Sequence, residues 1–162
     1  MRQWNYEILA ATSPPQWRKL GSLVPGAWVH PDAPDQSRQV RGLLLVDTGA
    51  AGVVIDESLA VQLRLSHEGT TNVHGAHGSG ELKTYLAKLL LPARDSAGSD
   101  VLFACPIVCT GTPQLLQRHQ KLGAEVIGIL GRLFLQFCSI EVDGMTGETR
   151  VRIDESVRYA RP

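Results

Sequence analysis

The feature that most constrains the fold is an unbroken apolar run, LLLV at residues 43–46, which ends directly at an acid, Asp47. Together with residues 40–42 (VRG), this run has the length and composition of a strand that is buried on both faces. A carboxylate at the end of a buried strand costs free energy unless hydrogen-bond donors meet its oxygens. The chain must therefore fold so that this strand delivers Asp47 to a turn that supports it.

The turn that follows the strand, Asp47-Thr48-Gly49, contains suitable donors. The backbone N–H groups of Thr48 and Gly49 can fold back onto the carboxylate, and Gly49 allows the chain to turn tightly. An acid held in this way at the floor of a cleft can act as a general base on water, with a pKa set by its neighbours. In a simpler interpretation Asp47 merely caps the turn, and the tripeptide alone does not separate the two.

The rest of the chain repeats the pattern of short apolar runs between glycines and prolines, which predicts a mainly β protein. Strands are predicted at residues 4–11, 20–30, 40–46, 53–55, 70–74, 82–91, 101–108, 126–130, 139–142 and 149–153. Pro25 and Gly26 interrupt the second of these and favour an edge strand or a bulge. Asp56 suits the N-cap of a short helix, a second short helix is predicted at residues 132–137, and residues 113–122 form a helical turn or an inserted loop.

The length of 162 residues is most economically one domain with its own hydrophobic core. We predict an N-terminal extension or edge strand at residues 1–20, the main domain at residues 21–154, and a C-terminal tail at residues 155–162. Basic and acidic residues interleave from residue 149 onwards, which predicts a solvated strand and tail.

The charge balance excludes several classes of partner. Sixteen basic and sixteen acidic residues cancel, so neither nucleic acid nor an anionic membrane surface is expected to bind. No segment approaches the roughly 18 apolar residues of a membrane span, and the N-terminus lacks the apolar core of a secretory signal. Three cysteines are too few for a disulfide framework and suit a reducing compartment, so we expect a cytoplasmic protein.

A metal site is one alternative, because His74, His77, Cys105 and Cys109 are all possible ligands. On a single strand, however, the two cysteines stand about 13 Å apart. Zinc needs each sulfur at about 2.3 Å, so one strand cannot present both to the same ion. We interpret the cysteines as small core residues and expect neither a metal nor another cofactor.

Three motifs together make the chain resemble the retropepsin-like aspartic proteases, the single-lobed family that includes the retroviral enzymes and many small bacterial ones. The first is the apolar run with Asp47-Thr48-Gly49-Ala50, followed by a short apolar strand. The second is the glycine-rich hairpin tip GAHGSG at residues 75–80. The third is IGILGRLFL at residues 127–135, which is similar to the family's apolar-apolar-Gly-Arg segment entering its C-terminal helix. The three occur in the family's order and cover residues 21–154.

The resemblance implies a mainly β, single-lobed retropepsin-like acid-protease barrel with one or two short helices, a ψ-shaped crossing of strands near the catalytic turn, and activity as a homodimer. It implies a catalytic role for Asp47, with Thr48 and Gly49 supporting it, in the hydrolysis of a peptide or protein substrate. It also implies substrate contacts from Ala50 and from the hairpin tip, which the family calls the flap: Gly75, Ala76, His77, Gly78, Ser79 and Gly80. The resemblance further implies that the second catalytic acid comes from another copy of Asp47; the only other candidate in the sequence, Asp143, lacks the Asp-Thr/Ser-Gly order.

Two departures from the family pattern raise questions. In viral relatives an acid follows the Asp-Thr-Gly-Ala sequence and pairs with the arginine of the third motif. Ala51 occupies that position here, so Arg132 must find another partner or remain solvated. The hairpin tip carries His77 where the viral enzymes have an apolar residue. A retropepsin fold used as a dimerisation or peptide-binding module with little turnover therefore stays open as an alternative.

Overall fold

The computed structural model describes residues 3–33, 38–75 and 78–159. Its elements in chain order are β1 (Tyr6–Ala11), α1 (Pro14–Leu20), β2 (Leu23–Val29), β3 (Val40–Val46), β4 (Val53–Asp56), α2 (Glu57–Gln62), β5 (His67–Gly75), β6 (Gly78–Asp95), β7 (Asp100–Thr112), α3 (Leu115–Gln120), β8 (Val126–Leu130), α4 (Arg132–Leu135), β9 (Cys138–Asp143), β10 (Glu148–Ile153) and a final 3₁₀ helix (Glu155–Tyr159). The predicted mainly β class is confirmed, and within the described residues the strands are accompanied by four α-helices of at most seven residues, where one or two were expected.

Six strands close into a barrel. Their order is β2-β3-β8-β4-β7-β6, and β6 returns to pair with β2 through residues 88–90. The sheet continues outward from β6 through β1 and β10 to β9, while β5 pairs with the first part of β6. Closure removes the free edges of the six barrel strands, which gives the molecule a rigid centre.

The core lies inside the barrel and is built from large apolar side chains. Trp28 on β2 is fully buried, and its indole N–H donates to the carbonyl oxygen of Ile127 on β8 at 3.1 Å. Leu44, in the middle of β3, is also fully buried. Leu43, Leu45 and Val46 are half-buried, so the run that ends at Asp47 is a barrel strand between β2 and β8, but it is not buried on both faces as its composition predicts.

The strands around Asp47 cross in the ψ-shaped arrangement that the resemblance implies. β3 and β4 follow one another along the chain, but they do not pair with each other. β8 lies between them, parallel to β3 and antiparallel to β4. Gly128 makes this crossing possible, because a Cβ there would lie 2.5 Å from the carbonyl oxygen of Val54 and 3.0 Å from the Trp28 ring.

Two predicted segments differ in the structure. β2 was predicted as an edge strand or a bulge, but it is a barrel strand between β3 and β6. Pro25 is tolerated because β2 pairs with β6 through residues 27–29, whereas at Pro25 the described pairing is with β3. Residues 155–159, predicted as solvated tail, form the 3₁₀ helix, in which Val157 is fully buried.

β1 lies within the sheet, between β6 and β10, and the division of the chain at residues 21 and 154 stays a prediction. Among the described residues, no helix has the length and apolar character that crossing a membrane requires.

Candidate active site

The Asp47 turn is built by backbone hydrogen bonds at the end of β3. The N–H of Asp47 donates to the carbonyl oxygen of Leu130 on β8 at 3.0 Å, which ties the residue to the strand crossing. The N–H of Gly49 donates to Oδ1 of Asp47 at 2.8 Å, so the predicted backbone support of the carboxylate is present at Gly49. Asp47 is half-buried while Thr48 and Gly49 are exposed. The carboxylate is thus oriented by one backbone donor and still accessible from one side.

Helix α4 packs against the outer side of this turn and fixes its shape. The N–H of Arg132 donates to the carbonyl oxygen of Ala50 at 2.8 Å, and the N–H of Leu133 donates to that of Ala51 at 2.9 Å. Gly131 allows this approach, because a Cβ there would overlap the carbonyl oxygen of Gly52. Residues 50–52 therefore follow the N-terminus of α4 as closely as backbone atoms permit.

The side chain of Arg132 finds a partner on the turn itself. Its Nη1 donates to the carbonyl oxygen of Thr48 at 2.7 Å, across 84 residues of sequence. The absence of an acid at Ala51 therefore leaves the guanidinium bound to backbone next to Asp47. A charged donor makes a stronger hydrogen bond than a neutral one, so the side chain of Arg132 stabilises the Asp47 turn.

The predicted hairpin is present as β5 and β6, which pair antiparallel. Near the tip, Gly75 pairs with Gly78, His74 with Ser79, and Val73 with Gly80. Ala76 and His77, which the sequence pattern assigns to the hairpin tip, lie outside the described residues. The hairpin arms agree with the sequence pattern, and the role of the tip in covering a substrate stays a prediction.

Three apolar side chains lie on the strands next to the turn and the hairpin tip, and one of them cannot line a cleft. Val53 is only 1% exposed and belongs to the core, because its side chain lies on the inner face of β4. Val54 and Leu82 are half-buried and remain available.

The other acids near the motif have structural roles. Asp56 is 2% exposed and caps α2 by accepting from the N–H of Ser58 at 2.9 Å, as predicted. Its second oxygen accepts from the N–H of Leu116 at 2.8 Å, so it also caps α3, a role that no local pattern in the sequence reveals. Asp143 accepts from the N–H of Met145 at 2.9 Å in the β9–β10 turn.

The cysteines are core residues, as the sequence analysis predicts. Cys105 and Cys109 on β7 are buried, and burial raises the pKa of their thiols to about 11 and about 12. Over residues 3–33, 38–75 and 78–159, no cluster of three histidine, cysteine, aspartate or glutamate side chains could hold a metal ion.

Two comparisons with known proteins gave matches. Residues 36–91, which contain the Asp47 turn, α2 and the hairpin, match the family model described as aspartyl protease. A solved structure of a retropepsin-like aspartic protease from Rickettsia conorii is similar over 94% of this chain and 97% of that chain, with 17% sequence identity and a TM-score of 0.49. The comparison with curated proteins gave no match. The family match thus covers the segment that carries the Asp47 turn, and the closed barrel with its β3–β8–β4 crossing is the fold of a retropepsin-like chain.

Proposed function

We propose that the chain is an aspartic endopeptidase in which two copies of Asp47, one from each subunit of a homodimer, activate the attacking water. The observation that carries this proposal is the Asp47 turn: one accessible carboxylate, oriented by Gly49 and by the backbone of β8, in a family whose chemistry uses two. The other acids considered, Asp56 and Asp143, are engaged in capping and turn contacts.

The proposed mechanism follows from placing two such carboxyls about 3 Å apart. Two carboxylates at that distance cannot both ionise cheaply, so they share one proton and titrate as a unit. The ionised member accepts a proton from water, and the protonated member donates a hydrogen bond to the scissile carbonyl oxygen. The water oxygen attacks the carbonyl carbon, and the amine leaves with a proton, so that no covalent enzyme intermediate forms.

A strand at the edge of the sheet, close in sequence to α4, supports the homodimer. In the described sheet β9 pairs with β10 alone and is the terminal strand. It starts at Cys138, and only two residues separate it from α4, the helix whose backbone bonds to residues 50 and 51. A strand edge with free backbone groups can pair with the same strand of a second copy about a two-fold axis.

The proposed substrate is an extended peptide with apolar side chains around the cut. Val54 and Leu82 are the apolar residues available for such contacts. Ala50 and the hairpin tip, Gly75, Ala76, His77, Gly78, Ser79 and Gly80, would hold the peptide backbone. A digest of a peptide library should then yield cuts mainly between apolar residues, and cuts mainly between charged residues would contradict this preference.

The decisive variant is Asp47→Asn, which keeps the shape of the residue but cannot accept the proton from water. We expect cleavage of a peptide that the wild-type protein cuts to fall by about 10³-fold or more, within the range that loss of a general base and its electrostatic partner removes. Asp143→Asn is the matched control, because Asp143 is exposed and its Oδ1 oxygen is retained in the amide. Equal cleavage by the wild-type protein and the Asp47→Asn variant would refute the proposal and favour a non-catalytic module.

A mixing experiment tests the shared pair directly. Wild-type and Asp47→Asn chains are unfolded together, refolded at several ratios, and assayed at constant total concentration. If both subunits contribute a carboxyl, only dimers of two wild-type chains are active, and the rate falls roughly as the square of the wild-type fraction. A linear fall, or a strict monomer in sedimentation at high concentration, would exclude the homodimer mechanism.

A further inference from the structure

The base of the β5–β6 hairpin lies at two residues of β6, Thr84 and Tyr85, which pair with both β5 and β7. β6 is paired with β5 from Gly78 to Tyr85, and with β7 from Thr84 to Arg94. Tyr85 therefore belongs to both pairings, opposite His67 on one side and Cys109 on the other. From residue 83 to the tip the described pairing of β6 is with β5 alone, so the hairpin leaves the barrel next to Tyr85, at Thr84, as a two-stranded ribbon.

A two-stranded ribbon is only marginally stable by itself, so its direction depends on what holds its base. The β5 strand adds a local irregularity at the same level, because its register against β6 shifts between His67 and Gly69. Such a bulge bends and twists the strand that carries it. Any contact that holds Tyr85 is therefore well placed to determine how the ribbon is oriented.

Tyr85 is held by a hydrogen bond to Glu57. Its side chain is 5% exposed, and its hydroxyl donates to Oε1 of Glu57 at 2.5 Å. Burial, and next the hydrogen bond to Glu57, raise the pKa of Tyr85 to about 12, so the phenol remains a donor throughout the neutral range. Glu57 is the first residue of α2, directly after β4, the strand that follows the Asp47 turn. The bond thus connects the base of the hairpin to the segment that continues from the candidate catalytic turn.

A third residue makes room for this contact. Gly111 on β7 is buried, and a Cβ there would overlap Oε2 of Glu57 and lie 2.8 Å from Cε2 of Tyr85. Any larger side chain at 111 must displace the carboxylate from the phenol. Three elements that are distant in sequence therefore meet in one close contact at the base of the hairpin.

We propose that Glu57 and Tyr85 are positioning residues: their hydrogen bond sets the angle at which the β5–β6 hairpin leaves the barrel, and so governs how the hairpin closes over a bound peptide. The consequence for catalysis rests on the proposed function. Neither residue touches the reacting atoms, so the bond acts on substrate capture and leaves the chemical step at Asp47 unchanged.

Tyr85→Phe tests the proposal, because it removes the hydroxyl and keeps the ring. Amide hydrogen exchange should accelerate about tenfold in residues 67–75 and 78–83 and stay unchanged in β8 and β10, since the lost bond frees only the ribbon. For a peptide that the wild-type protein cleaves, KM should rise severalfold while kcat stays within about twofold. Glu57→Gln retains an oxygen that accepts from the phenol and should keep near wild-type exchange and KM.

Tyr6→Phe is the matched control, because it removes another tyrosine hydroxyl that donates to a glutamate, Glu155, at 3.4 Å, away from the hairpin. It should leave exchange in the hairpin unchanged. Gly111→Ala is the second variant, which separates the pair without altering either partner and should reproduce the effect of Tyr85→Phe.

Equal hairpin exchange in the Tyr85→Phe and Tyr6→Phe variants would overturn the proposal, and so would acceleration spread evenly over β8 and β10. If Tyr85→Phe fails to fold, the Gly111→Ala variant decides by the same two criteria. Exchange is measured without substrate, so accelerated exchange in a protein that cleaves nothing would support the hinge contact and refute only the protease function.

Discussion

Asp56 provides the sharpest test of how this fold is held together, because a single buried carboxylate caps two helices. Its side chain is 2% exposed. One oxygen accepts from the N–H and the hydroxyl of Ser58 at the start of α2, and the other accepts from the N–H of Leu116 at 2.8 Å at the start of α3. We expect Asp56→Ala to destabilise the protein far more than the loss of an ordinary N-cap.

The magnitude follows from the separate contacts. Loss of the cap on α2 costs about 1 kcal/mol. Loss of the charge-assisted bond to Leu116 costs roughly 1.5–3 kcal/mol, because the amide at the start of α3 then has no acceptor. The sum is about 3 kcal/mol, which for a protein of this size corresponds to a fall in Tm of about 6–12 °C.

Asp56→Asn separates the two contributions. Its remaining oxygen can still accept from Ser58, but its NH₂ group then faces the N–H of Leu116, donor against donor. The expected loss is about 2 kcal/mol, most of it at α3. Because Asp56 is a cap, activity measured on the folded fraction should be retained, in contrast to Asp47→Asn.

The assay is urea unfolding at fixed protein concentration, with the midpoint and the m value measured for each variant. Asp143→Ala is the control, because Asp143 is an exposed aspartate that also accepts from backbone N–H groups, at 2.9 and 3.3 Å. It should cost less than about 1 kcal/mol. If Asp56→Ala and Asp143→Ala lower the free energy of unfolding equally, the assignment of a double cap is wrong.

Three further predictions concern the catalytic turn and the buried titrating groups. Gly131→Ala places a methyl group 2.7 Å from the carbonyl oxygen of Ala50, so the turn must shift. We expect the free energy of unfolding in urea to fall by about 2 kcal/mol and kcat to decrease. An unchanged kcat would contradict the role given to Gly131 in shaping the turn. Arg132→Met removes the hydrogen bond to the carbonyl oxygen of Thr48. We expect kcat to fall about tenfold and the free energy of unfolding to change by about 1 kcal/mol, and Arg132→Lys should recover part of the lost kcat. Equal kcat in the wild-type protein and in Arg132→Met would exclude a positioning role for Arg132. The third prediction concerns stability in alkali. The pKa of Tyr85 in the folded state is raised from 10.0 to about 12, so the stability that this group contributes is fully present below pH 10 and is lost as the pH rises through 12. The pKa values of the three cysteine thiols are raised from 9.0 to about 11 or 12, so their loss of stability begins at pH 9. The free energy of unfolding should therefore decrease from pH 9 to pH 12, less steeply above pH 10 in Tyr85→Phe, and a value that stays constant up to pH 11 would refute this assignment.

The sequence by itself determined the features whose causes lie within a few residues. The apolar run before Asp47 predicts a strand that contributes to the core, and Leu44 at its middle has no exposed surface. Gly49 supports the carboxylate from two residues away, and Asp56 caps α2 from the position directly before it. Such contacts need only local backbone geometry, so the residue pattern is sufficient to predict them.

Only the tertiary structure decided which distant segments meet. β8 lies between β3 and β4, and that crossing gives Arg132 its partner at Thr48 across 84 residues and replaces the ion pair that Ala51 excludes. The second cap that Asp56 provides spans 60 residues. The pattern around each of these residues is compatible with many partners, because a hydrogen bond between distant segments depends on strand order and register. Those are properties of the whole barrel, which is why the local motif indicates where an acid is held but not what surrounds it.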